Sequence, residues 1–334
     1  MLTLKFGGTS MGSARRMLDS VEIILGRAKT DRISVIVSAV AGVSNALQAA
    51  IDGCVSGSLP ANFIDGIRKT HEEICAQLHA SVEGFDAAST MAKIEPNFIE
   101  LEKLLSGVAT FGECPESIYC RIMGMGELCC VPIINAILIA KKQNVLVLDS
   151  RKFIFTTGSQ IESDPDYART SEALGPYRDG AECSQAQILL FPGFVCGWSA
   201  HADDEPKMGL LGRNGSDFSA AIIGACLASV DGIYTADPRV VSDAILVDDM
   251  TYEEAMELSF FGSKVLHPKT LAPLVARGIE AWSLNSHNPK ARGTRIGRGP
   301  FESEKKVGPV CGISCLKKTA LVSRRKNKAK LNRK

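Results

Sequence analysis

The chain has 334 residues, 45% hydrophobic and 22% charged, an ordinary composition for a soluble protein with core enough for one large α/β domain or two lobes. Its net charge of +1 hides an asymmetry: residues 317–334 hold nine Lys/Arg and no acid, and the remaining 29 basic and 37 acidic residues leave the body at −8. Eleven scattered cysteines without Cys-x-x-Cys spacing exclude a disulfide framework and read as buried, reduced thiols.

A strand starting almost at Met1 leaves no sign of a secretory signal, so the expected compartment is the cytoplasm. The longest apolar run, residues 128–140, is too short to cross a bilayer and contains Pro132, so no membrane is expected as a partner. The vicinal Cys129-Cys130 and the Cys311/Cys315 pair lack nearby histidines, and no metal site is expected.

Residues 2–6 have the short apolar character of a strand. Gly7-Gly8 breaks it, and Thr9, Ser10 or Ser13 can cap a helix over about 14–28. A strand that turns through glycines into a helix N-terminus is an anion site in waiting, because bare backbone N–H groups and the helix dipole both favour negative charge. Lys5 adds a full positive charge at the mouth of that turn. The spacing is neither a Walker loop nor a Rossmann fingerprint, and a plain tight turn fits the same glycines. Residues 33–37 read as a buried parallel strand, followed by a loop of small residues, Ser38 to Asn45, leading into a helix at 46–51. Those small residues fit either a ligand against the backbone or a close-packed turn.

From 61 to 108 the pattern is helical, with Phe63, Ile67, Ile74 and Leu78 on one face, then Phe98, Leu101, Leu104 and Leu105 after Pro96. His71, Glu72, Glu73 and His79 lie here, and a solvated helix face accounts for them better than a metal site does. Met123-Gly124-Met125-Gly126-Glu127 then interrupts the helical pattern, with Glu127 opening an apolar helix over 128–141, where an acid complements the helix dipole or meets a ligand. Residues 145–148 form a strand ending in Asp149-Ser150-Arg151. Another spans 188–197 with Pro192-Gly193-Phe194 inside it, and the polar stretch to Gly209 suggests a hairpin. A second glycine-punctuated loop, Gly212-Arg213-Asn214-Gly215-Ser216-Asp217, runs into a helix over 217–228, and Asn214 tolerates a left-handed backbone better than most residues. Only Ser229-Val230 then precede the run 231–240, where a doubly wound chain needs a returning strand.

Six of these runs, in order, resemble the aspartate kinases of the amino-acid kinase superfamily. They are Lys-Phe-Gly-Gly-Thr-Ser at 5–10, the Ser-Ala-x-x-Gly-x-Ser-Asn stretch at 38–45, Gly126-Glu127, Leu-Gly-Arg-Asn-Gly-Ser-Asp-Phe at 211–218, Asp-Gly-Ile-Tyr-Thr-Ala-Asp-Pro-Arg at 231–239, and Phe-Gly-Ser-Lys-Val-Leu-His-Pro at 261–268. The chain departs from that pattern at Asn214, which replaces a glycine, and at Phe218, which replaces a tyrosine. It also lacks the strand that family members place before the fifth run.

The resemblance implies an α/β amino-acid kinase (carbamate kinase-like) three-layer sandwich, a mostly parallel sheet between helices. Residues 1–300 would form the catalytic domain, with an N-terminal aspartate lobe, its helical insertion at 61–108, and a nucleotide lobe from about 205. Residues 301–323 would be a linker and the remnant first strand of an ACT domain, and 324–334 a basic, disordered tail rather than a nucleic-acid arm. The implied reaction converts L-aspartate and ATP to 4-phospho-L-aspartate, the first step toward lysine, threonine and methionine, with Mg²⁺ riding on ATP and a homo-oligomer as the expected form. Lys5 and Asp217 would be catalytic. Gly7, Gly8, Ser10, Tyr234, Asp237, Arg239 and Lys264, with Lys5, would hold the nucleotide, while Ser38, Ser44, Glu127, Arg213, Gly215 and Ser216 would hold the amino acid. The alternatives are a glutamate 5-kinase or N-acetylglutamate kinase, against which the start of the chain and the helical insertion argue, and a non-catalytic relic, which the absent strand favours.

Overall fold

Short β-branched runs separated by glycine turns and apolar helices build a layered first unit. The computed structural model describes residues 1–58, 63–179, 186–201, 204–227, 249–260, 268–283, 293–299, 310–316 and 319–324. The chain divides into two units, Met1–Ser229 and Val230–Lys334. The first unit runs β1 (Leu2–Phe6), α1 (Ala14–Ala28), β2 (Ile33–Val37), α2 (Val43–Ser56), α3 (Phe63–Ser81), α4 (Ala87–Phe111), α5 (Glu116–Ala140), β3 (Val145–Val147), α6 (Ser150–Phe153), β4 (Phe155–Gly158), β5 (Ser163–Pro165), α7 (Tyr167–Asp179), β6 (Ile188–Pro192), β7 (Val195–Trp198), β8 (Lys207–Leu210) and α8 (Gly215–Leu227).

One sheet has the order β1-β2-β6-β3, every pairing parallel. All five residues of β2 and of β6 are buried, as a strand covered on both faces requires. Alternation along the strands divides the core. Val35, Val37, Ile188 and Leu190 pack in one cluster with Met17 and Ile24 of α1 and Ile133 and Ile137 of α5. Ile36, Leu189 and Phe191 pack in another with Ile222 and Ile223 of α8. Helix, sheet and helix thus form three layers, each buried aliphatic side chain contributing about 1.5–3 kcal/mol. A second sheet, β5-β4-β7-β8, is mixed, with β4 and β7 parallel and the hairpins β4/β5 and β7/β8 antiparallel. The expected strand over 188–197 is two strands, one in each sheet, because the chain turns a corner at Gly193-Phe194.

The largest departure from expectation is α5. Residues 116–140 form one helix, so Met123 to Glu127 do not interrupt it and Glu127 sits mid-helix. The reason is packing: Gly124 and Gly126 lie on crowded faces where a side chain has no room. The helix is long and apolar enough to cross a membrane, but 72% of its apolar window is buried inside the protein, which makes it the central core helix. Nor is His71 on a solvated face. It is fully buried, with Nδ1 hydrogen-bonded to the Ile67 carbonyl at 2.8 Å and its ring edge-on to Phe98.

The second unit has β9 (Asp249–Thr251), α9 (Tyr252–Phe260), α10 (Pro268–Arg277), β10 (Ala281–Ser283) and β11 (Thr294–Gly297), with sheet order β10-β11-β9 and a small core of Met250, Ala255, Leu271 and Ile296. Where one remnant strand was expected, β12 (Val310–Leu316) and β13 (Thr319–Arg324) form an antiparallel hairpin. Tyr234, Asp237, Arg239 and Lys264, the run after Leu227 in which a returning strand was expected to be missing, and tail residues 325–334 lie outside the described residues.

Candidate active site

The C-terminal ends of β1 and β2 and the N-terminal turns of α2 and α8 enclose a cavity of about 750 Å³ in the first unit. Lys5 and Gly8 reach it from β1 and its turn, Ser38 and Ser44 from the loop after β2 and the first turn of α2, Glu127 from α5, and Arg213, Gly215, Ser216 and Asp217 from the approach to α8. Nine residues expected on four distant stretches of sequence therefore share one wall. Gly7 is adjacent rather than lining: a methyl there would lie 3.2 Å from Lys5 Nζ. Ser10 is buried behind the turn, its carbonyl accepting from Ser20 Oγ at 3.4 Å, and is not among the lining residues.

Local chemistry explains each placement. Ser13 caps α1, its Oγ accepting from Arg16 N–H. Gly42 begins α2 with φ 85°, so the first turn of α2, with Ser44 and Asn45, faces the cavity. Gly212 and Asn214 take φ 73° and 58°, the left-handed conformation expected of Asn214, and the Asn214 carbonyl accepts from the N–H groups of Asp217 and Phe218 at 2.9 and 3.1 Å. Two helix N-termini thus point at one cavity, which favours an anionic ligand.

Lys5 Nζ lies 2.9 Å from Asp217 Oδ1, the side chains 23% and 32% exposed, so the pair sits at the wet mouth. Ser38 Oγ donates to Ser216 Oγ at 2.6 Å and ties the two loops together. Glu127 is the opposite kind of acid. It is 5% exposed, its Oε2 has no hydrogen-bond partner, and burial pushes its carboxyl up to about 8 against the lowering pull of backbone N–H groups, Ala39 among them, and of Lys5. Behind it Cys129 is pushed up to about 12 and Cys130 higher still by the same burial, so both thiols are inert. Among the described residues no group of three His, Cys, Asp or Glu could hold a metal ion.

Tyr119, Met123, Glu162 and Phe194 also line the cavity and were not expected there. Tyr119, Met123 and Glu127 recur every four residues, one face of a helix, a stripe that becomes visible once 116–140 is read as continuous. Tyr119 is fixed by donating to Gln48 Oε1 at 2.7 Å.

The profile of the amino acid kinase family matches residues 1–284. The aspartokinase of Chlamydia trachomatis is 32% identical over 331 residues, covering 95% of this chain and 68% of that protein. A bifunctional aspartokinase/homoserine dehydrogenase of Buchnera aphidicola is 32% identical over 305 residues, 89% of this chain and 36% of that protein. Among solved structures, E. coli aspartokinase III in complex with aspartate and ADP superposes with a TM-score of 0.78 at 28% identity, covering 90% of this chain and 65% of that one. The chain belongs to the amino acid kinase family and, within it, to the aspartokinases. It spans about a third of the bifunctional relative and just under two-thirds of the solved aspartokinase.

Proposed function

We propose that the protein transfers the γ-phosphoryl group of ATP to the side-chain carboxylate of L-aspartate, giving 4-phospho-L-aspartate and ADP. The observation that carries this is the joint presence, in one cavity, of a Lys5–Asp217 pair, Arg213 on the wall with no ion pair among the described residues, and a buried acid, Glu127. That combination suits a ligand with two carboxylates and one ammonium.

The nucleophile arrives ionised, so no general base is required; the demand is alignment and charge balance. A carboxylate oxygen of aspartate attacks the γ-phosphorus while the bond to the β,γ-bridging oxygen breaks and its electrons leave with ADP. Lys5 neutralises charge on the moving phosphoryl oxygens, and Asp217 keeps Lys5 aimed there. Arg213 clamps the carboxylate that does not react, Glu127 meets the ammonium, and Ser38, Ser44, Gly215 and Ser216 supply hydroxyl and N–H donors at the two helix starts. Gly7 and Gly8 let the nucleotide phosphates approach the first turn, Ser10 supports that turn from behind, and Tyr234, Asp237, Arg239 and Lys264 border the nucleotide. Magnesium enters as part of MgATP. Eight cysteines, Cys54, Cys75, Cys114, Cys120, Cys129, Cys130, Cys196 and Cys226, are free, and all of them but Cys114 are buried, which suits a reducing, cytoplasmic setting.

Incubation with ATP and L-aspartate is expected to yield an acyl phosphate that hydroxylamine traps as the hydroxamate. Equal or faster turnover with glutamate or N-acetylglutamate would overturn the assignment.

A further inference from the structure

We infer that Phe194 is a positioning residue for the cavity, fixing where the 211–219 segment, and with it Arg213 and Ser216, stands relative to Lys5 and Ser38. The inference rests on the aspartate reading of the cavity. The chain leaves the parallel sheet at Pro192 and enters the second sheet at Val195, so Gly193 and Phe194 alone make the corner. Gly193 N–H donates to the Val37 carbonyl at 2.8 Å, which ties the corner to the end of β2 next to Ser38.

Phe194 has φ 66°. A bulky side chain is strained in that left-handed region and persists there only where its surroundings over-determine it. Here they do. Its N–H donates to Ser219 Oγ at 2.9 Å, and the same hydroxyl donates to the Gly215 carbonyl at 3.0 Å. Its carbonyl accepts from Leu211 N–H at 2.9 Å. Its ring lies so close to Gly215 that a methyl on that glycine would be 2.5 Å from Cδ2. One residue therefore grips both ends and the middle of the loop that carries Arg213 and Ser216, and its ring lines the cavity. A glycine would make this corner without strain. What phenylalanine adds is the wall against Gly215.

The test uses the full chain with Phe194→Gly, Phe194→Ala, Gly215→Ala and the double change Phe194→Gly/Gly215→Ala. Phe194→Gly and Phe194→Ala both lose the ring, but only glycine accepts the backbone, so the glycine variant is expected to melt about 2–4 °C above the alanine variant. At temperatures where Phe194→Gly is fully folded, KM for aspartate is expected to rise about tenfold with KM for ATP within about twofold. Gly215→Ala is expected to raise KM for aspartate about tenfold or more in the wild-type background and by no more than about threefold beside Phe194→Gly, because the clashing ring is gone. An unchanged aspartate KM in folded Phe194→Gly, or the same factor for Gly215→Ala in both backgrounds, overturns the role. The wild-type rate is the separate check on the reaction itself: if aspartate is not turned over, the aspartate reading fails. The glycine–alanine melting difference and the Gly215→Ala coupling in Tm then decide on Phe194 alone.

Discussion

Two glycine-punctuated runs end in an acid at the same cavity, Met123 to Glu127 and Gly212 to Asp217, and they use glycine for different reasons. In α5 the backbone is helical and what matters is the missing Cβ. A methyl on Gly124 would lie 1.9 Å from Met208 Cε and 2.7 Å from Val195 Cγ1, and one on Gly126 would lie 2.7 Å from Ala39 Cβ. Before α8 what matters is backbone conformation, φ 73° at Gly212 and 58° at Asn214. The first device lets a sheet and a loop close on the side of a helix, so its acid emerges sideways into a dry wall. The second starts a helix at the cavity mouth, so its acid stands at the N-terminus beside Lys5. One cavity thereby holds two carboxylates of opposite character, one paired and wet, one buried and proton-holding.

The sharpest way to break that contrast is to remove each acid. Asp217→Ala and Lys5→Ala are expected to lower kcat by about 10²–10³-fold, since the role proposed for Lys5 is to neutralise the phosphoryl oxygens and that for Asp217 is to hold Lys5 in place, with KM for aspartate little changed. Glu127→Ala and Arg213→Ala are expected instead to raise KM for aspartate by about 1.5–3 kcal/mol, the range for a charge-assisted hydrogen bond. If Lys5→Ala leaves kcat intact, the phosphoryl role given to the paired acid is wrong. If Glu127→Ala leaves aspartate KM intact, so is the ligand role given to the buried one.

The two acids also separate by pH. With Glu127 held up to about 8, it carries a proton at pH 7 in the empty cavity, and pairing with an ammonium requires that proton to leave. Calorimetric affinity for aspartate is expected to rise about tenfold from pH 7 to pH 9 and then to fall as the ligand's own ammonium loses its proton. The stability of the empty protein runs the other way. Its folded value is raised above the ordinary carboxylate value of the unfolded chain, so Glu127's contribution is full below that ordinary value and is lost as pH rises through about 8. Around it, burial pushes Tyr119 and Cys129 upward, away from that window, and no histidine is among the lining residues. Glu127→Gln is expected to abolish both trends; persistence of the affinity trend in that variant would assign it to another group.

Much of this was legible in the sequence where the signal was local. β1, α1 and β2 fall on the expected residues, and Asn214 adopts the left-handed turn that its side chain tolerates. The motifs named the residues of the loops after β1 and β2 and before α8, because each carries its own turn chemistry, but not Tyr119, Met123, Glu162 or Phe194. What was illegible was non-local. Nothing in Met-Gly-Met-Gly-Glu itself says that Met208, Val195 and Ala39 will press on those glycines, so a packed helix looked like a broken one. For the same reason the stripe Tyr119, Met123, Glu127 went unseen. The corner at Phe194 was hidden because Pro192-Gly193-Phe194 lies inside a run of continuous apolar character, and which sheet each half joins is decided by partners far away in the chain.

The smallest effects sharpen the contrast most, because they separate missing volume from backbone shape. Gly126→Ala keeps its helical backbone, so any cost comes from pushing Ala39 away. Ala39 lies on a backbone segment fixed at both ends, and overpacking of that kind costs about 1–3 kcal/mol. Gly212→Ala costs about 1 kcal/mol through φ 73°, and the contact of its methyl with Glu162, Cγ at 2.6 Å and Cβ at 3.2 Å, adds to that. Asn214→Gly touches neither term strongly. The hydrogen bonds to Asp217 and Phe218 use the backbone carbonyl and survive the change, the left-handed strain is relieved, and the extra freedom of the unfolded chain offsets the relief, leaving stability within about 0.5 kcal/mol of wild type. Asn214→Ala, by contrast, keeps the strain without the tolerance of asparagine and is expected to match the backbone part of the Gly212→Ala cost. Urea denaturation of the four variants reads the order directly. Gly126→Ala near neutral, or Asn214→Gly as costly as Asn214→Ala, would show that the two runs use glycine for the same purpose after all.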